Sequence, residues 1–203
     1  MLVLITGGSK CGKSRIAEAM ITKYQMKRYY IATMEPYGDE AENAIKRHQS
    51  MRAGKGFETI ERYTDIGGIR LPFTGGQPAS DAGTGVKECA VLLECMGNLC
   101  ANEMFSPQGI HEGVTEKILS DMDKLYRQTQ LLVIVTNQVG ADGVIYPPET
   151  MEYMRILGDI NASLAVKADM VIEAVFGLPV LQKGSELWQE MYNKKSMADV
   201  MQG

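Results

Sequence analysis

Leu2-Val3-Leu4-Ile5-Thr6-Gly7-Gly8-Ser9-Lys10-Cys11-Gly12-Lys13-Ser14 begins as an apolar run and passes into a glycine-rich turn. The turn fits G-x-x-x-x-G-K-[ST]. It stands directly after a strand-like run and directly before Ile16, Ala17, Met20, Ile21 and Tyr24, whose spacing is that of one face of a helix. In that context the residue types have a physical purpose. Glycines let the backbone wrap around a phosphate and turn successive N–H groups inward, while the following helix N-terminus adds its positive dipole. The pattern therefore predicts that Gly7, Gly8, Ser9, Lys10, Cys11 and Gly12 cradle the phosphates of GTP or ATP. Lys13 is placed to reach the β and γ phosphates and Ser14 to ligate Mg²⁺ through its hydroxyl.

Outward from this loop, short apolar runs alternate with longer amphipathic segments, the pattern of βα units around a mostly parallel sheet. Strands are expected at 2–6, 29–33, 90–95, 131–136 and 170–175, and further helices at 40–51, 113–128 and 149–167. The expected architecture is a P-loop NTPase-like α/β fold in which helices flank the sheet. The length of 203 residues suits a single domain, read here as a catalytic unit over 1–184 followed by a polar tail over 185–203 whose one aromatic anchor is Trp188. The stretch 71–85, rich in glycine and proline, reads as an irregular surface excursion.

Composition narrows the function classes. With 45% hydrophobic and 23% charged residues, the chain has the profile of a soluble globular protein. Its apolar runs fall far short of the roughly 20 residues that a bilayer crossing needs. The N-terminus shows no signal-peptide pattern, so a cytoplasmic protein is expected. A net charge of −4 argues against nucleic acid as the main partner, because such binding needs a basic face. Cys11, Cys89, Cys95 and Cys100 form no C-x-x-C pair and have no matching histidine cluster, which makes zinc an unsuitable ligand and reduced thiols the expectation.

A phosphate loop alone does not name a reaction. The chain has no N-K-x-D tetrad, so a Ras-like switch is disfavoured although Asp65-Ile66-Gly67-Gly68 fits D-x-x-G. Leu92-Leu93-Glu94 places a carboxylate at the carboxyl end of a buried strand, where an acid can face the crevice and serve as a second metal ligand.

Several segments in order then resemble the bifunctional adenosylcobinamide kinase and adenosylcobinamide-phosphate guanylyltransferase family of cobalamin biosynthesis. They are the phosphate loop with Arg15-Ile16-Ala17-Glu18, Tyr30-Ile31-Ala32-Thr33, Ile45-Lys46-Arg47-His48 with Arg52, and Thr59-Ile60-Glu61. The series continues with Leu92-Leu93-Glu94-Cys95 and Asn102, Val135-Thr136-Asn137 with Val139-Gly140, and Gly158-Asp159-Ile160-Asn161 with Ala168-Asp169. The resemblance implies phosphorylation of the aminopropanol hydroxyl of adenosylcobinamide, then transfer of GMP from GTP onto that phosphate through a covalent histidine intermediate. It carries the nucleophile onto His48, a chemically sensible choice because a neutral imidazole is a competent nucleophile and its phosphoramidate is labile. Arg47 or Arg52 could neutralise charge developing on the α phosphate. Further nucleotide contacts carried over are Ala32, Thr33, Met34, Gln49, Ser50, Met51, Arg52, Glu61 and Glu94. The family also implies Mg²⁺, adenosylcobinamide or its phosphate as the small-molecule substrate, and a homo-oligomer. His111, without matched neighbours, reads as a surface residue.

The chain departs from the family pattern at Ala44, where arginine is usual, at Phe57 in place of tryptophan, and at Gln138, where the usual T-N-E-V-G has glutamate. The last change removes a carboxylate, for which Asp142, two residues past Gly140, is the candidate replacement. Two other readings stay open at this point: a P-loop kinase of another small hydroxyl substrate, which has no need of His48, and a non-catalytic nucleotide sensor.

Overall fold

A run such as Leu131-Leu132-Val133-Ile134-Val135 has no polar face, and such a strand is stable only where its sheet is covered on both sides. The computed structural model, which describes residues 1–72, 88–140 and 142–193, has that arrangement. Its seven strands are β1 (Leu2–Thr6), β2 (Lys27–Ala32), β3 (Phe57–Glu61), β4 (Cys89–Glu94), β5 (Leu131–Val135), β6 (Met170–Val175) and β7 (Leu178–Lys183). They form one sheet in the order β3-β2-β4-β5-β1-β6-β7. All neighbours pair in parallel except β7, which runs antiparallel to β6.

The side-chain alternation of the strands feeds two cores. Leu2, Leu4, Val91, Leu93, Leu132 and Ile134 face α3 (Met96–Phe105), α4 (Val114–Tyr126) and α5 (Pro148–Lys167), where they meet Leu99, Ile118 and Leu157. Val3, Ile5, Leu92, Val133 and Ile172 face the other way, onto Ile16, Ala17, Met20 and Ile21 of α1 (Lys13–Thr22). Leu187, Trp188 and Met191 of α6 (Ser185–Asn193) also pack against this second core. The remaining helix, α2 (Gly38–Arg52), connects β2 to the edge strand β3.

The five expected strands and the expected helices are all present, with ends that move by no more than two residues. Four elements were not legible in the sequence. β3 is an edge strand whose residues are all at least partly exposed, so it lacks an apolar run. β7 opens on Leu178-Pro179 and is exposed along most of its length, which proline tolerates at an edge. α3 begins two residues after β4, so its apolar residues read as a continuation of the strand. α6 occupies 185–193, where the sequence shows only a polar tail. The excursion expected at 71–85 lies, beyond Leu71 and Pro72, outside the described residues, as do residues 194–203. No helix among the described residues is long and apolar enough to cross a membrane.

Candidate functional site

The turn Gly7 to Gly12 joins β1 to α1, and Gly12 stands immediately before the first residue of that helix. Two of its glycines are required by close approach as well as by conformation. Gly7 has φ +143, and a Cβ there would lie 2.7 Å from the Ala174 carbonyl oxygen and 2.8 Å from Cys11 Sγ. Gly12 has φ +99, and its Cβ would lie 3.0 Å from Gly177 Cα. The β6–β7 turn braces the loop from this side: Gly177 N donates to the Cys11 carbonyl at 2.8 Å, and Arg15 Nη2 donates to the Gly177 carbonyl at 3.1 Å.

Lys13 is buried, and its ammonium donates to the carbonyl oxygens of Gly7 at 3.0 Å and Gly8 at 2.6 Å. Its charge is thereby held inside the curve of the loop, where phosphate oxygens would meet it. Ser14 Oγ donates to Glu94 Oε1 at 2.7 Å. Glu94 ends β4, two strands from β1 in the sheet, so this contact closes the site across the carboxyl ends of the strands. Its Oε2 is shut off from solvent and has no hydrogen-bond partner. Burial pushes the carboxyl up to about 7; the Ser14 hydrogen bond and the charges of Lys13 and Arg52 oppose that rise, and Glu18 adds to it.

The structure sets Glu61, Ala32 and Glu94 side by side, because Ala32 is in register with both at the ends of three adjacent strands. Thr33 is fully buried and locks the chain beyond Glu94: its Oγ1 donates to the Cys95 carbonyl and accepts from Cys95 N, both at 2.8 Å. Asn102 Nδ2 donates to the Thr33 carbonyl at 2.8 Å. Met34, Arg47, Glu94, Cys95, Asn98 and Asn137 join residues Ser9 to Arg15 around a cleft of about 450 Å³. The phosphate loop, the end of β4 and α2 are thus brought to one place.

Of the α2 residues singled out in the sequence, Arg52 is buried, with its guanidinium carbon 3.4 Å from the centre of the Tyr30 ring and Nη1 without a hydrogen-bond partner. Gln49 and Ser50 are exposed, and Ser50 Oγ donates back to the Lys46 carbonyl. His48 and Met51 lie on the same helix, and their side chains are outside the described residues. Glu61 is exposed and accepts from the Tyr63 hydroxyl at 3.2 Å. His111 is exposed, with Nδ1 2.9 Å from the Met104 carbonyl. Gln138 donates to Glu173 at 3.2 Å, while Asp142 accepts from the Tyr146 hydroxyl at 2.6 Å.

No site role for Asn98, Tyr30 or Glu18 was legible in the sequence. Asn98 carries no local signal, since only the fold of α3 under β4 brings it to the cleft. Glu18 could have been noticed, because a carboxylate stands among the sheet-facing positions of α1; it is buried and pairs with Lys55 at 2.5 Å.

The oxygen-only pair of Ser14 and Glu94 fits Mg²⁺, a hard cation that uses one or two protein oxygens, substrate phosphates and water. The unpartnered Glu94 Oε2 supplies the acceptor capacity that such an ion would use. Among the described residues no cluster of three or more histidine, cysteine, aspartate or glutamate side chains could hold a metal.

A model of the family described as cobinamide kinase / cobinamide phosphate guanyltransferase matches residues 3–181. The chain is 29% identical over 192 residues to the bifunctional adenosylcobalamin biosynthesis protein CobU of Escherichia coli strain K12, an alignment that covers 89% of this chain and 98% of that protein. The protein of the same name from Salmonella typhimurium gives the same identity and coverage. The bifunctional adenosylcobalamin biosynthesis protein CobP of Pseudomonas aeruginosa is 26% identical over 186 residues, covering 91% of this chain and 98% of its own length. Neither a kinase of an unrelated hydroxyl substrate nor a non-catalytic sensor is favoured by a match of this extent. With its phosphate loop, its strand-end carboxylate and a family match running from the first strand into the last, this chain belongs to the cobinamide kinase / cobinamide phosphate guanyltransferase family of enzymes.

Proposed function

We propose that this chain phosphorylates adenosylcobinamide and then transfers GMP from GTP onto adenosylcobinamide phosphate, with His48 as the guanylylated nucleophile. The observation that carries the reading is the cleft itself, where the phosphate loop, Glu94 and Arg47 of α2 line one space. In the first step the aminopropanol hydroxyl oxygen attacks the terminal phosphorus of the nucleotide, the nucleoside diphosphate leaves, and the hydroxyl proton is lost. Lys13 and the loop N–H groups hold the phosphates in line for that attack, and most of the catalysis is positioning and charge stabilisation. Ser14 and Glu94 would hold Mg²⁺, which neutralises phosphate charge when bound.

In the second reaction a neutral His48 imidazole nitrogen attacks the α phosphorus of GTP and pyrophosphate leaves. A phosphate oxygen of adenosylcobinamide phosphate then attacks the same phosphorus, the P–N bond breaks, and adenosylcobinamide-GDP is released with the imidazole restored. Arg52, one turn beyond His48 on α2, and Arg47 supply positive charge beside the reacting phosphate. ATP and GTP both suit the phosphate loop as donors for the first step. The reaction is assigned to the cytoplasm and to a homo-oligomer, with no nucleic-acid partner, in keeping with the acidic net charge.

Incubation with Mg²⁺ and GTP labelled on the α phosphate, followed by denaturing electrophoresis and an acid challenge, tests this directly. Wild type is expected to take acid-labile label, and His48→Ala to take none. Equal labelling of His48→Ala would remove His48 from the mechanism. Lys13→Ala is expected to lose GTP binding with its circular dichroism unchanged.

A further inference from the structure

Beside the phosphate cleft lies a second, open cavity of about 550 Å³, between the segment after β5 and the first turns of α5. Gln138, Asp142, Tyr146, Thr150, Tyr153 and Met154 contribute to its walls. Its volume is in the range of small-molecule sites. The two spaces are contiguous along the chain: Asn137 lines the cleft and Gln138 the cavity. Gln138 N also donates to the Gly7 carbonyl at 3.1 Å, which fixes this wall to the phosphate loop.

The surroundings of the cavity are unusual for a surface in water. Val139, Val144, Ile145 and Met151 are exposed to 39, 52, 91 and 43%, four large apolar side chains within a stretch of 13 residues that also builds the cavity. Val139 lines the cavity itself, and contiguous apolar exposure marks a binding surface. Within the rim stands a fixed polar group. Asp142 Oδ2 accepts from the Tyr146 hydroxyl at 2.6 Å and Oδ1 from Val144 N at 3.1 Å, so the carboxylate is held in one orientation with lone pairs to spare. An aromatic and thioether wall, an apolar rim and an oriented acceptor suit a ligand that combines a broad apolar body with amide N–H and hydroxyl donors.

None of the residues assigned to the nucleotide lines this cavity, whereas Lys13, Ser14, Met34 and Glu94 among them line the phosphate cleft. We infer that the cavity receives one edge of the corrinoid acceptor, with its aminopropanol arm directed toward the phosphate loop and the hydrocarbon part of the macrocycle against the apolar rim. This rests on the reading of the chain as a cobinamide kinase and guanylyltransferase. Asp142 accepts from an amide or hydroxyl of the corrinoid, and Tyr146 and Met154 pack against its apolar edge.

The test is equilibrium dialysis of the full chain against cobinamide, followed by the visible absorption of the corrin. Wild type is compared with Thr150→Trp, which fills the cavity, and with Asp142→Asn, which preserves shape and removes the charge; circular dichroism and thermal melting monitor folding. Cobinamide binding is expected to weaken about tenfold or more in Thr150→Trp and several-fold in Asp142→Asn, while the KM for GTP moves less than about twofold. Wild-type affinity in both variants would overturn the inference. So would an Ile145→Asp variant that binds cobinamide normally but changes oligomeric state by light scattering, because the rim would then belong to a contact with a second copy. A wild type that binds cobinamide here, sensitive to both substitutions, yet takes no label from GTP would leave the inference standing and sink the guanylylation reading. A wild type that binds no cobinamide would overturn it.

Discussion

Glu94 illustrates what a single side chain at a strand end can do. β4 carries it into the crevice, Ser14 occupies one carboxylate oxygen, and the other is buried without a partner. Burial disfavours the charged form and is the largest cause of a proton affinity pushed up to about 7, against an ordinary value near 4.5. Between those two values the folded chain binds more protons than the unfolded one, so stability falls as pH rises through this window. Without Mg²⁺ or nucleotide, urea titrations from pH 4.5 to 8 should show wild type losing more stability than Glu94→Gln, by an amount on the order of a few kcal/mol. Parallel curves would mean that the carboxyl is not desolvated in solution. The residue was legible in the sequence as an acid ending an apolar run, but its orphaned oxygen was not, because that depends on which neighbours the fold withholds from it.

Between elements, the notable link is the ion pair of Glu18 on α1 with Lys55, three residues beyond the end of α2. Glu18 is buried while Lys55 keeps 39% of its side chain exposed, so the two partners respond differently to removal. Loss of Lys55 strands a carboxylate in the interior, whereas loss of the Glu18 charge lets the ammonium turn to water. Lys55→Met should therefore destabilise the fold by about 1–3 kcal/mol, the partial exposure of Lys55 holding the figure below that of a fully buried pair. Glu18→Gln should cost less, and chemical denaturation of both variants checks the ordering. The pair fastens the helix that follows the phosphate loop to the end of the helix that carries His48 and Arg52. The sequence marks Glu18 as a carboxylate on the buried face of α1 but does not announce its partner, since 37 positions separate the two and Lys55 alone reads as an ordinary loop charge.

For the whole molecule, the sheet is the device that converts separate segments into a site. Its interior is apolar on both faces, and Leu92, fully buried in the middle of β4 against α1 and β5, shows how tightly it is filled. Leu92→Ala should lower unfolding free energy by about 2–5 kcal/mol through lost burial and a residual cavity, measured by denaturant titration. A drop below about 1 kcal/mol would mean that this layer can collapse around the gap. The sequence by itself determined the phosphate loop, the five strands with continuous apolar runs, the helices with clean periodicity and the family, because each of these signals is local or ordered along the chain. Only the tertiary structure decided that β3 and β7 join the sheet at its edges, that Glu94 meets Ser14, that Arg52 lies on Tyr30, and that a second cavity opens next to Asn137. Those features depend on strand order and helix placement, which bring together residues as many as 167 positions apart, and no short-range pattern encodes which of them will touch.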